Sequence, residues 1–532
     1  MVTKFSFQQR DKVIFAALVL MVLVLGYWRM VPTVCGAYHD DGIYVLTGKA
    51  LAQGQGYRLI FLPNSPVQTK YPILYPALLA IIWKLWPSFP NNLFLMKWFT
   101  LFCGAATVGL SYLYLIRFGY FSRSVAGIAA LVCATSPIFL FFSTEILSEA
   151  PFACLVILSL WFIETKLEKP DQEPYHQFFL GVLLALPFLC RTAGVTLVFA
   201  GLVLQYYKGR PLRWMVIGIT VVMLPWVLWM VAGLGAWNHD PISGYYTDYL
   251  GWWASMGWTS TIRYVANNVL NILRYSVAIP FEGFADLLES ISFFGWVFFI
   301  FFLSSILFIT LLIKSRAWRI MPLFIITYLS LIMLWPWHPY RFLVPILPFL
   351  LGYFFDGINT SLKVSITRNW YLLLGLSLLI APNFNLLYLH GKQASQQNCS
   401  RVYLFENPPP WTSYQNIFQW LKAHSQPDDV IASTEDPMIF LYTGRHAIRP
   451  FKMHPGLGED KAGSEIFGSA EDLYKTLKSY KVKYIVKFPI INSDQEFNNL
   501  IAKLEQKTPG SLKQVYSCKD KRFAIYEFTQ LN

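Results

Sequence analysis

Charge is what this sequence has least of. Only 14% of its 532 residues are Asp, Glu, Lys or Arg, where a soluble globular protein carries roughly a quarter. Cysteine is scarce too, at seven residues, and no Cys or His spacing resembles a zinc site. No internal repeat relates one membrane half to the other, which argues against an inverted-repeat transporter. No small-residue cleavage site follows the first apolar run, so that run reads as a retained span. Together these absences exclude a soluble enzyme, a nucleic-acid-binding protein and a disordered chain.

What is present is apolar: 55% of the residues are hydrophobic and 17% aromatic. The few charges are unevenly spread. Residues 1–389 hold 25 Lys+Arg and 15 Asp+Glu, whereas residues 390–532 hold 18 and 15, so 33 of the last 143 residues are charged. The first part reads as membrane and the second as a soluble domain. Runs able to cross roughly 30 Å of hydrocarbon occur near 13–32, 93–116, 124–143, 148–164, 212–234, 291–313, 319–335, 342–358 and 369–389. The stretch 177–207 reads as two short helices meeting at Arg191, which gives an α-helical polytopic protein of about 11 to 13 spans. Tyr71–Trp86 reads as a helix lying at the interface, since it holds two prolines and two tryptophans.

Basic residues set the orientation. With the N-terminus inside, every inner segment is basic, from Lys4, Arg10 and Lys12 through Arg117, Arg123, Lys166, Lys169, Lys208, Arg210, Arg213, Lys314, Arg316, Arg319, Lys363 and Arg368. These are 15 of the 25 cations before residue 390, as the positive-inside rule requires. The net charge of +13 is therefore mostly topological. The loops 33–92 and 235–290 and the tail 390–532 lie outside in this reading, in a plasma or inner membrane. The tail alternates helix and strand signals, with helices at Ser413–His424, Ala470–Tyr480 and Asp494–Gln506. Strands follow at Val430–Ala432 and Val482–Val486, and Val515–Ser517 pairs with Phe523–Phe528, an α/β pattern. Cys399 and Cys518 stand at its two ends, where an oxidising compartment permits a disulfide.

Ionisable groups at membrane depth are costly, so their placement is informative. Asp40 and Asp41 follow the first span in Tyr38-His-Asp-Asp-Gly-Ile-Tyr44. Adjacent carboxylates there suit a general base for an acceptor hydroxyl, a divalent cation site, or a solvated Asp-Gly turn. Glu145 and Glu149 are four apart, on one helical face, and also suit a helix N-terminus. The cations are Lys70, Arg191 and Arg341, with His338 close to the last in Trp335-Pro-Trp-His-Pro-Tyr-Arg-Phe. Snorkelling to lipid phosphates explains Lys70 well and Arg191 poorly. Arg forms the better fork for a phosphate. All these groups fall on the outer face, which suits a lipid-linked phosphate donor. The aromatic loop residues Trp237, Tyr245, Tyr246, Tyr249, Trp252, Trp253 and Trp258 read as an interfacial belt or as sugar contacts, and Asp240 and Asp248 as solvated.

Asp40-Asp41-Gly-Ile-Tyr44 resembles the acidic pair after the first span of the C-type-fold (GT-C) glycosyltransferases, above all the protein O-mannosyltransferases and the lipid A aminoarabinose transferases. Lys70-Tyr-Pro-Ile-Leu-Tyr-Pro is similar to their Lys-Pro-Pro segment. Ser148-Glu149, Arg191 in a short-helix pair, and Tyr340-Arg-Phe-Leu-Val-Pro-Ile-Leu-Pro348 complete an ordered series over residues 10–390. Two positions depart from the pattern: Asp41 stands where relatives often have Glu, and Tyr71 replaces the first Pro after the Lys.

The resemblance implies a mechanism. Asp40 is the general base with Asp41 beside it, and Lys70, Arg191 and Arg341 hold the phosphate of a polyprenyl-phosphate sugar. Tyr44, Glu145, Glu149 and His338 support them. Direct displacement inverts the anomeric centre, and no cofactor is required. The implied partners are that donor, an acceptor protein, lipid or glycan, and the bilayer, with no nucleic acid. A lipid-linked sugar transporter or flippase is the competing reading, and a scaffold whose tail binds a partner is a third. Convergence of Asp40, Glu149, Lys70 and Arg341 on one cavity favours the enzyme.

Overall fold

A computed structural model describes residues 7–167, 173–237, 242, 246, 258–335, 337–362, 370–396, 409–450, 469–489, 494–518 and 522–529. Each apolar run forms a helix. Among the described residues six helices are long and apolar enough to cross a bilayer by themselves: Gln9–Arg29, Leu93–Arg117, Arg213–Gly233, Phe293–Ser315, Tyr340–Ser361 and Leu373–Ser395. The pair Arg123–Ala134 and Pro137–Thr144, bent by 63°, makes a seventh if it is one span. Length and composition thus support six or seven crossings, fewer than the 11 to 13 expected. The remaining runs are the helix Glu149–Leu167 and the shorter pieces Pro174–Leu189, Thr192–Tyr207 and Ile320–Leu334. The last apolar helix, Trp370–Ser395, continues past residue 389, where the charge density changes.

The bend has a local cause. Ser136 caps the second helix by accepting from the Phe139 N–H, and Pro137 occupies its first turn, a position where a missing N–H costs nothing. Helix contacts are made close by small residues. A Cβ on Gly181 would stand 2.1 Å from the Met215 carbonyl oxygen, and one on Gly218 would stand 2.1 Å from that of Phe178. The helices Pro174–Ala185 and Arg213–Trp237 therefore meet backbone to backbone.

Residues 235–290 are more than a loop. Trp258–Ala278 and Glu282–Ile291 are helices joined by the short turn Ile279–Phe281. The apex of this hairpin reaches the interior of the bundle. Ser136 Oγ donates to the Ile279 carbonyl at 3.1 Å, and Asn383 Nδ2 donates to Pro280 at 2.8 Å. Asn268 and Tyr264 bond carbonyls at the end of the helix Ile320–Leu334. An amphipathic sequence too polar to read as a span is therefore folded inward. Of the loop aromatics, the side chains of Trp237, Tyr245, Tyr249, Trp252 and Trp253, with Asp240 and Asp248, lie outside the described residues. Trp258 is exposed.

The C-terminal part forms a five-stranded sheet. Its strands are β1 (Val430–Ser433), β2 (Ala447–Ile448), β3 (Val482–Lys487), β4 (Leu512–Ser517) and β5 (Ala524–Phe528), in the order β2-β1-β3-β5-β4. The pairs β1–β2 and β1–β3 are parallel, and β3–β5 and β4–β5 antiparallel. The helices Trp411–His424, Ala470–Ser479 and Asp494–Lys507 coincide with the expected ones within a few residues. The helix Asp436–Thr443 and strand β2 were not foreseen, being too short to carry a period. Cys399 of the expected Cys399–Cys518 disulfide lies outside the described residues.

The sheet is built onto the rest of the chain. One apolar core joins Ile43, Leu46, Leu59 and Phe61 to Ile448, Leu473 and Phe497. Another joins Val31, Val34 and Ala37 to Trp411, Met438 and Phe523. Backbone bonds cross the same boundary: the Ala447 N–H donates to the Phe61 carbonyl at 2.9 Å, and Tyr442 Oη donates to that of Thr33 at 2.9 Å.

Candidate active site

Asp40 opens the helix Asp40–Ala52, directly beneath this junction. Its two oxygens are both engaged: Tyr71 Oη donates to Oδ1 at 2.6 Å and Arg341 Nη1 to Oδ2 at 2.8 Å. Arg341 begins the helical segment after Pro339, and its Nε donates to Glu149 Oε1 at 2.6 Å. Glu149, fully buried at the first turn of its helix, also takes Arg191 Nη1 at 2.8 Å. Arg191 donates to Ser148 Oγ at 2.8 Å, which bonds Tyr44 Oη at 2.8 Å. Residues 300 positions apart in sequence thus form one unbroken chain, Tyr71–Asp40–Arg341–Glu149–Arg191–Ser148–Tyr44.

The local folding follows from the sequence. Arg191 sits between the short turns Leu186–Leu189 and Thr192–Gly194, where its extended backbone interrupts the helix and releases the side chain. A Cβ on Gly194 would stand 2.3 Å from the Phe188 backbone nitrogen, so only glycine lets the turns close around Arg191. Burial alone would raise the Asp40 carboxyl. Arg341, the Tyr71 hydroxyl and His39 outweigh it and hold Asp40 below the ordinary carboxylate range.

Asp41 points elsewhere. Its oxygens accept the Gly36 and Tyr38 N–H groups at 2.7 and 3.1 Å, which closes the turn before the helix. Burial pushes this carboxyl up to about 6 against those amide bonds, and Glu145 adds to the rise. The two carboxylates therefore do not converge. Arg341 already stands on the Asp40 oxygen that a divalent cation would need, so the pair does not fit a joint metal site. Among the described residues no three His, Cys, Asp or Glu side chains group as metal ligands would.

Glu145 is also outside the chain of contacts. It pairs with Lys97 at 2.7 Å, both side chains at most 2% exposed. Lys97, an unremarked cation within an apolar helix, could have been found as the one charge inside that run. Lys70 is buried, and its ammonium lies 5.6 Å from the centre of the Trp337 ring. Its neighbour Tyr71, read only as a departure from a motif, is the residue that holds Asp40. His338 Nδ1 accepts the Tyr340 N–H at 3.3 Å, and its ring stands edge-on to Tyr275 at 4.9 Å. Of the expected residues the structure brings together Asp40, Tyr44, Glu149, Arg191 and Arg341. It sets Lys70 and His338 at the border, and turns Asp41 and Glu145 to other partners.

Residues 70–237, about a third of the chain, match the family described as dolichyl-phosphate-mannose-protein mannosyltransferase. No curated protein matches. The fold is similar to that of ArnT from Cupriavidus metallidurans bound to undecaprenyl phosphate, at 13% identity, TM-score 0.51 and 97% coverage of both chains. The apo state of that protein matches at a TM-score of 0.52. The Archaeoglobus fulgidus oligosaccharyltransferase, solved with Zn and sulfate, matches at 14% identity and a TM-score of 0.55, over 96% of this chain and 72% of its own. The chain is therefore an integral membrane protein with the GT-C glycosyltransferase fold.

Proposed function

We propose that this protein transfers a sugar from a polyprenyl-phosphate donor to an acceptor hydroxyl at the outer face of the membrane, with inversion and with Asp40 as general base. The observation that carries the reading is the linked ion chain, in which two arginines, two carboxylates and Tyr71 meet in one place. The two guanidinium and two carboxylate charges cancel within the cluster. A polyprenyl-phospho-sugar is a phosphodiester with one negative charge, which the two guanidinium forks can balance.

The balance follows the reaction. When the acceptor oxygen attacks the anomeric carbon, the carbon–phosphate oxygen bond breaks and the sugar leaves the phosphate. The acceptor proton passes to Asp40. The leaving polyprenyl phosphate gains up to one negative charge as Asp40 loses its own, so the site becomes more positive as the phosphate becomes more negative. Stabilisation that grows toward the transition state is what accelerates a reaction.

Asp40 is a poor base while Arg341 and Tyr71 hold it, because both lower its proton affinity. A donor phosphate drawing Arg341 to itself restores that affinity. Donor binding thus precedes acceptor activation in this reading. Tyr44, Ser148 and Glu149 orient the two guanidinium forks, and Asp41 holds the turn that presents Asp40. ArnT was solved with undecaprenyl phosphate, which supports a lipid phosphate as donor. The basic inner segments support a cytoplasmic N-terminus and a C-terminal sheet on the outer side.

The test is mass spectrometry of lipid-linked sugars and envelope glycans in cells lacking the protein. Accumulation of one polyprenyl-phosphate sugar, with loss of that sugar from an envelope acceptor, is the expected result. An unchanged lipid-linked pool and unchanged glycans would sink the proposal.

A further inference from the structure

The residue before Asp40 is strained. His39 has φ of +61° and ψ of −58°, the γ-turn of positive φ, closed by the Asp40 N–H bonding to the Tyr38 carbonyl at 2.6 Å. A residue with a Cβ adopts this conformation only where its surroundings hold it there.

The hold comes from the C-terminal sheet. Asp436, the first residue of the helix that follows β1, places Oδ1 3.1 Å from His39 Nε2. Tyr246 Oη stands 3.0 Å from the same nitrogen and donates to Asp436 Oδ2. Since the tyrosine proton is given to Asp436, the imidazole Nε2–H is the donor to both oxygens, a tautomer assigned from its partners. All three side chains are buried. They come from the first loop, the segment before Trp258 and the C-terminal sheet. The fit is tight: a Cβ on Gly36 would stand 2.8 Å from Met438 Cβ, and one on Gly42 would stand 2.7 Å from Pro437 Cβ. The helix Asp436–Thr443 thus presses on the same turn that its first residue bonds.

We propose that Asp436 is a positioning residue for Asp40. With Tyr246 it holds His39 in the strained turn and so fixes the direction in which the Asp40 carboxylate leaves the helix start. The C-terminal sheet completes the active site in this way, and the inference rests on Asp40 being the base.

The test uses the full chain in native membranes. The donor is radiolabelled polyprenyl-phosphate sugar extracted from cells lacking the protein, and the acceptor is their envelope fraction. Asp436→Asn leaves one acceptor oxygen where His39 and Tyr246 now use two, and kcat should fall about 10- to 100-fold with donor KM nearly unchanged, as small misplacements of a reacting group do. Glycine adopts positive φ without steric cost, so His39→Gly should keep at least about tenfold more kcat than His39→Ala. Adding Asp436→Asn to His39→Gly should cost no more than about twofold further. Equal kcat for the two His39 variants, a multiplied loss in the double variant, or wild-type kcat in Asp436→Asn would each overturn the proposal. If Asp436→Asn fails to accumulate, the His39 pair decides alone. Asp40→Asn separates the two readings: transfer retained there removes the base itself, whereas its loss beside a fully active Asp436→Asn removes only this inference.

Discussion

The two ends of the helical bundle both bury carboxylates against cations, yet they are wired differently. At the basic end the ion pairs also join segments far apart in sequence. Arg123 takes Asp11, which also accepts from Tyr112, and Arg319 takes Glu164, which Tyr120 also bonds. Lys314 pairs with Asp356. At the end that carries the sheet, Arg341 is shared by Asp40 and Glu149, and Glu149 is shared by Arg341 and Arg191. Burial of charge is common to both ends and marks neither as a site. At the sheet-bearing end one guanidinium bridges two carboxylates, so an incoming anion meets a fork already aimed at negative charge.

The largest expected effect that tests this contrast is on rate. Asp40→Asn should lower sugar transfer about 10³-fold in washed membranes, per amount of folded protein, the scale of a lost general base. Transfer near the wild-type level would break the contrast. Next is a stability effect within the same end. Lys97 and Glu145 form a buried pair, so Lys97→Met should destabilise by about 3–5 kcal/mol, and Lys97→Met with Glu145→Gln should recover most of it. Denaturation of purified protein measures both. A smaller effect compares the ends directly. Arg341→Lys keeps the charge but loses the fork, and kcat should fall about 10- to 100-fold. Arg319→Lys at the basic end should change kcat less than about twofold. Similar losses in both would erase the distinction.

The smallest effect concerns pH and Asp41. Its native carboxyl is raised to about 6 from an ordinary value of about 3.9. A raised carboxyl binds its proton more tightly when folded, so this contribution is complete below about pH 4 and is lost as pH rises through 6. The melting temperature should therefore decline by a few degrees between pH 4 and 7, and Asp41→Asn should flatten that part of the profile. A decline that persists unchanged in Asp41→Asn would show that another group is responsible.

Much of the site was legible because ionisable residues are rare in an apolar chain and each one stands out. Asp40, Arg191 and Arg341 announce themselves against their neighbours. Lys97 was hidden by the length of its apolar run, and Tyr71 by its ordinary appearance in an aromatic-rich loop. His39 and Asp436 carried no signal at all. They lie nearly 400 positions apart, in regions of different composition.

Composition and the spacing of charge determined by themselves that this is a membrane protein with a polar C-terminal α/β sheet. They also indicated three of its helices and four of its five strands within a few residues, because alternating and helical periods are local properties of the chain. Only the tertiary structure decided which of two adjacent carboxylates faces the arginines, that residues 258–291 fold into the bundle, and that the C-terminal sheet reaches the turn beside Asp40. The physical reason is the same for all three. A one-residue step along a helix start rotates a side chain by about 100°, and the direction in which it then points is set by contacts that close only when distant segments pack.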